Sequence, residues 1–244
     1  MNVLLVLGII IGAKPDTGTV IDKGTFKVYQ HERALGTETF EYLSRGDSLT
    51  ITSHVAQVLP GPNGDLPIDK QAVIVVGTLD YDLRFYQSQL KLGGKDLLRA
   101  LVVNDTAFTA YRESKQAGGM GDRFDRPPGR LFVLDGQVFM LFDVMCRDLG
   151  RTSFKERPIS VVLLRDEQDQ VTSITVADLG ADTLKWAERP VVAKRLCFKD
   201  SYSTFNAWVG PLGYMLKLEQ EGSGLRVERE PSPPVKRRDQ ATPK

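Results

Sequence analysis

A chain of 244 residues with 41% hydrophobic and 26% charged residues can bury a substantial core without disulfide or metal staples. Its formal net charge is +1 and no basic run is interleaved with aromatic residues, which gives no electrostatic ground for a nucleic-acid partner.

The opening "MNVLLVLGIIIGAKPDTG" carries an apolar run from Val3 to Ile11. That run falls short of the roughly 20 residues a bilayer-spanning helix needs. It fits the apolar segment of a secretory signal, with Ala13 as a small residue for cleavage, although no Lys or Arg precedes it. Residues 1–13 are therefore expected to be a signal peptide, which places the protein in the periplasm or outside the cell; a buried first strand is the alternative.

After Thr19 the pattern becomes that of strands. Phe26 and Val28 alternate with Lys27 and Tyr29; Phe40 and Tyr42 share a face, as do Leu49, Ile51 and Val55 beyond the "SRGDS" turn. A period of two with one apolar face predicts a sheet buried on one side. "PGPNGDLP" (60–67) reads as a loop. Leu79, Tyr81, Leu83 and Phe85 then alternate with Asp80, Asp82, Arg84 and Tyr86, and a hairpin is expected to turn at Asn104–Asp105. Residues 114–130, "SKQAGGMGDRFDRPPGR", are rich in Gly, Pro and charge and predict a surface connection. The glycines lack the G-K-[ST] context of a phosphate loop.

Residues 133–150, "VLDGQVFMLFDVMCRDLG", predict the one long helix. Asp135 is placed to cap it, and Val138, Leu141, Phe142, Met145 and Leu149 recur at helical spacing. Phe139 and Val144 widen the stripe, so the helix is expected to be covered on more than one side. Gly150 stands where a C-terminal glycine belongs. Strand patterns return in "RPISVVLLRDE", "QVTSITVADL", "RPVVAKRLCFKD", "TFNAWVG", "GYMLKLEQEG" and "GLRVERE". Residues 231–244, "PSPPVKRRDQATPK", read as a disordered basic tail.

The expected fold is mainly β, or α+β: residues 20–230 form a single strongly curved antiparallel sheet, a half-barrel of about 11–12 strands. One long helix packs in its concave side, because an open sheet of that size curls and leaves a hollow to cover.

The order of parts resembles the lipoprotein-localisation-factor superfamily, the LolA- and LolB-like carriers and related exported domains of unknown function. The residues that carry the resemblance are "GTFKVYQHERALGTETFEY" and the late "AWVGPLGYMLKLEQEGSGLRVERE" with Trp208. The resemblance implies a curved sheet closed by helix around an apolar cavity for acyl chains. A single long helix, and no lipid-attachment cysteine near the N-terminus, depart from the family.

No catalytic constellation stands out. G-x-S-x-G is absent, and Ser53 and His54 are strand neighbours that point to opposite faces. Asp80 and Asp82 read as an exposed pair on one strand face. His31 and His54 join no metal-ligand spacing, and no cofactor motif occurs. The positive signal is apolar. Phe40, Ile51, Leu79, Tyr81, Leu83, Phe85, Val161 and Leu163 are expected to face the helix residues Phe139, Phe142 and Met145 around a ligand cavity. The plainer reading of these residues is a filled core, since apolar residues alone do not distinguish a pocket from a core. A helix of some 14 residues is about 21 Å long and is small for a hollow made by so many strands, which favours a cavity. The expected function is a non-enzymatic, exported protein that carries a lipid-like ligand; the alternative is a cell-envelope interaction module that contacts another protein. A disulfide between Cys146 and Cys197 would tie helix to sheet.

Overall fold

The computed structural model describes residues 18–62, 64–115, 118–165 and 169–231. The expected signal peptide, and the expected tail after Pro231, lie outside the described residues.

Strand-forming alternation begins at once. β1 (Thr19–Gln30), β2 (Arg33–Arg45), β3 (Ser48–Leu59) and β4 (Leu66–Gly77) form a meander, continued by β5 (Leu83–Leu92), β6 (Lys95–Val103), β7 (Ala107–Ser114) and β8 (Gly118–Asp125). β9 (Leu131–Asp135) leads into the helix α1 (Met140–Leu149), and β10 (Glu156–Leu164) leaves it. β11 (Gln170–Trp186), β12 (Arg189–Lys199), β13 (Thr204–Val209), β14 (Met215–Gln220) and β15 (Leu225–Arg229) complete a second meander. All fifteen strands belong to one sheet, ordered β8-β7-β6-β5-β4-β3-β2-β1-β15-β14-β13-β12-β11-β10-β9. The two meanders meet where β1 pairs antiparallel with β15, and the two edges of the sheet, β8 and β9, are consecutive in the chain.

The inward faces follow the period of two. Phe26, Val28, Phe40, Tyr42, Leu49, Ile51 and Val55 are all buried in the core, as expected. Every residue of α1 is buried too. The sheet curls so far that β9 comes to lie against the inner side of β4 and β5. There Leu131, Phe132 and Val133 meet Ile74, Val76 and Leu83, with the helix residues Leu141 and Val144 behind them. This region is filled.

Several expectations need correction. The strands number fifteen among the described residues, where 11–12 were expected. The sheet is not antiparallel throughout: β9 and β10 run parallel, because α1 carries the chain across between them. The helix has ten residues. Residues 133–135 of its expected N-terminal end belong to the strand β9, and Gln137 turns the chain at a φ of 67° before the helix starts. Residues 114–130 are not a plain connection, since 118–125 form the edge strand β8. Its polar, glycine-rich text is compatible with a strand because it buries almost nothing. Gly119 leaves room for the Tyr111 ring, whose hydroxyl oxygen would lie 2.3 Å from an added Cβ, and Phe124 stacks on Phe108 at 5.1 Å. A charged, short-chain edge of this kind also resists sheet extension by other molecules.

The alternation of residues 79–86 also breaks. Residues 78–82 turn, and a register shift falls between Val75 and Val76 opposite Leu83 and Phe85. A bulge adds one residue and reverses which side chains face inward. Tyr86 is fully buried, Phe85 only half-buried, and Leu79 is 89% exposed on the turn. Leu79 therefore lines no interior, and Asp80 and Asp82 share no strand face.

The expected disulfide is absent: Cys146 and Cys197 are both free thiols. Cys146 is buried on the enclosed helix, whereas Cys197 sits between the inward-facing Leu196 and Phe198 and so points to the other side of the sheet. Titration of denatured, unreduced protein with a thiol reagent should count two thiols per chain; a count near zero would contradict this arrangement.

Candidate functional site

A helix enclosed by a sheet has no water to satisfy the free N–H groups of its first turn, so the wall must supply an acceptor. Asp135 was expected to do so and does not. The N-cap position is Phe139, with no side-chain cap of its own. The acceptor is Glu38 on β2, whose carboxylate accepts from the N–H of Phe139 (2.8 Å) and of Met140 (3.1 and 3.2 Å) and from the Ser53 hydroxyl (2.5 Å). Burial pushes its carboxyl up to about 7, against the Ser53 hydroxyl and the two backbone N–H groups, which pull it down, while the nearby Asp143 adds to the rise.

Asp135 closes the sheet instead. It ends β9 and reaches the inner face of β4 and β5, where it takes the Lys70 ammonium at 2.5 Å on one oxygen, and the Tyr86 and Ser88 hydroxyls at 2.7 and 2.8 Å on the other. Lys70 also donates to the Gly136 carbonyl at 2.8 Å. At the other end of β9, Asp82 accepts from the Leu131 N–H at 2.9 Å and pairs with Arg126. Further along, Arg99 of β6 pairs with Asp169 after β10 at 3.2 Å. The edge strand is thus held by side chains across a seam, with no backbone ladder to β4 or β5.

The opposite side of the helix is also tied by charge. Asp143 accepts from Tyr42 (2.6 Å), from Arg147 (2.7 Å) and from the Met215 N–H (2.6 Å). Arg147 lies over the Tyr42 ring at 4.1 Å and pairs with Asp22, which in turn takes Arg229 at 2.6 Å. Burial, first, and the adjacent Asp143 raise the Tyr42 hydroxyl well above the usual range.

Empty space remains at the N-terminal end of the helix. A cavity of about 340 Å³ is walled by Val138, Phe139 and Phe142 of the helix segment, Val28 and Leu35 of β1 and β2, Ile68 of β4, Leu134 and Leu163 of β9 and β10, and Phe205 and Leu225 opposite. Exposed Leu59, Gly136 and Arg165 stand at its rim. An adjoining space of about 300 Å³ shares Ile68, Asp135, Gly136, Gln137 and Arg165 with it and is bordered by Lys70, Ser88 and Arg99. Both sit at the lower end of the size range of small-molecule sites.

Of the residues expected around a cavity, Phe139, Phe142 and Leu163 border this one. Ile51, Tyr81, Leu83, Met145 and Val161 lie in filled core, and Phe40 packs on Phe26 at 4.7 Å. Sequence reasoning missed Glu38, Gln57 and Lys70. The signal was present: each occupies an inward position on a strand whose other inward residues are mostly apolar, such as Phe40, Val55 and Ala72. Ser53 and His54 do not act on one another. Ser53 faces inward to Glu38, while His54 is exposed and 3.4 Å from Asp69. No group of three or more His, Cys, Asp or Glu that could hold a metal occurs among the described residues. No helix among them is long and apolar enough to cross a membrane.

No protein-family model and no curated protein sequence matches the chain. Among solved structures it is similar to a β-barrel-like protein of the domain of unknown function DUF1849 from Brucella abortus. That similarity has a TM-score of 0.54 at 9% identity and covers 87% of this chain and 97% of the other. At that identity the likeness is one of fold, a β-barrel-like sheet.

Two outcomes follow from the buried carboxyls. In the unfolded chain Glu38 ionises near 4.5, and in the folded one near 7. Between those values the folded state holds the extra proton, so this group's stabilising effect is full at low pH and is lost as pH rises to 7, by roughly 3 kcal/mol. Chemical denaturation across this range should show a shallower pH dependence for Glu38→Gln than for the parent chain; identical slopes would contradict the assignment. Asp135→Ala leaves Lys70, Tyr86 and Ser88 without their shared acceptor oxygens and should cost about 3–5 kcal/mol in the same assay.

Proposed function

We propose that the protein is a non-enzymatic carrier or sensor that holds a lipid-like apolar molecule at the N-terminal end of its enclosed helix. The observation that carries this reading is the 340 Å³ cavity, with Phe139, Phe142, Leu163 and Phe205 in its wall. This cavity and the space adjoining it contrast with the closely packed region between the helix, β9 and the inner side of β4 and β5. Burying apolar ligand surface there is favoured by about 25 cal/mol per Å², and the exposed rim gives a route of entry. The ligand class agrees with the resemblance to the lipoprotein-localisation-factor superfamily. The N-terminal apolar run, with its small-residue cleavage site, supports a periplasmic or secreted location.

A second reading has its own support. The space between α1, β9 and the inner side of β4 and β5 is filled, as a cell-envelope interaction module that works through its surface would need.

Titration with a polarity-sensitive fluorescent fatty-acid analogue separates the two. The carrier reading expects saturable binding at one site per chain, lost in Leu163→Trp, which fills the cavity from a half-buried wall position and leaves thermal stability near the parent value. No saturable signal, or equal binding by Leu163→Trp, would overturn it.

A further inference from the structure

Gln57 occupies an inward position on β3, is 7% exposed, and lines the apolar cavity. Its side-chain Nε2 is buried and has no hydrogen-bond partner among the described residues. A buried amide N–H left unpaired among apolar side chains is costly, and native structures rarely keep one without a reason. The buried charged groups beside it are matched, and Arg165, exposed at the rim, lies over the Tyr202 ring at 5.3 Å. Lys70 is held by Asp135 and Arg99 by Asp169, while Asp200 at the rim accepts from the backbone N–H groups of Tyr202 and Ser203. The interior of the site therefore offers a neutral donor inside an apolar wall, while the exposed Arg165 stands at its mouth.

We propose that the cavity takes an apolar molecule bearing one uncharged hydrogen-bond acceptor, an ester, ketone or amide carbonyl, whose oxygen accepts from Gln57 Nε2. This rests on the carrier reading and deepens it, since it names what the ligand's polar atom must be. Hydrocarbon and ester of one length then differ by the bond that satisfies Gln57. A free carboxylate must either be desolvated at the depth of Gln57, which is unfavourable, or stay at the rim beside the exposed Arg165 and leave Gln57 unsatisfied.

The test compares dodecane, methyl laurate and laurate, each displacing the fluorescent probe from the parent chain and from Gln57→Met, a variant of similar length without the donor. The parent chain should bind methyl laurate about tenfold more tightly than dodecane, and more tightly than laurate. In Gln57→Met the preference over dodecane should vanish while dodecane binding persists, which also shows that the variant is folded. Equal binding of ester and alkane by the parent chain, a preference retained in Gln57→Met, or tightest binding of laurate would overturn the inference and leave the carrier reading standing. Failure of every compound to displace probe from the parent chain would overturn both.

Discussion

The whole arrangement depends on satisfying a helix that water cannot reach. Each residue of α1 is buried, so the polar ends of its backbone and its three charged side chains, Asp143, Arg147 and Asp148, must all be met by protein. Glu38 meets the first turn, and Asp143 and Arg147 are met by Tyr42, Asp22 and the Met215 N–H. These partners come from β1, β2 and β14, the strands at the centre of the sheet where the two meanders join. Fixing the helix there fixes the curvature of the wall around it. Conversely, the wall can curl only because a rod of this length stands inside it.

The same economy explains the seam. A sheet that overlaps itself leaves an edge strand facing side chains instead of another backbone, and unpaired N–H and C=O groups would otherwise be stranded in the interior. Asp82 and Asp135 bracket β9, one taking its first N–H and the other anchoring its end to Lys70, Tyr86 and Ser88. The cavity lies just past the Asp135 anchor, where β9 ends and the chain turns through Gly136 and Gln137 toward the helix. Its position is therefore a by-product of closure: the strand has stopped and the helix has not yet begun.

Much of the wall could be read from the residues in order. Phe26 with Val28, Phe40 with Tyr42, and Leu49 with Ile51 and Val55 declare their inward face by alternation, and the stripe from Val138 to Leu149 declares the helix. What escaped was set by contacts distant in sequence. Asp135 looks like a cap because local spacing permits it, yet Glu38, 101 residues from Phe139, takes the role once the fold brings it there. The bulge at Leu83–Phe85, opposite Val75 and Val76, contains no glycine or proline to announce it, so alternation alone puts Leu79 and Phe85 on the inner face with Leu83. β8 was hidden for another reason: a strand that buries nothing leaves no apolar pattern. At the site, Phe139, Phe142 and Leu163 were legible as greasy positions, whereas the space between them depends on three-dimensional packing that no periodicity encodes.

The pairing of β1 with β15 has a consequence for how the chain is made. Asp22 and Arg229, which are bonded to each other, stand 207 residues apart, so the ladder at the middle of the sheet is the last that a ribosome can complete. Until then β1 has an unpaired margin, and closing so wide a loop is slow. A rearranged gene that began translation between β8 and β9 would turn this architecture into a simple progression of neighbours, with its join supplied early by a linker in place of a late encounter.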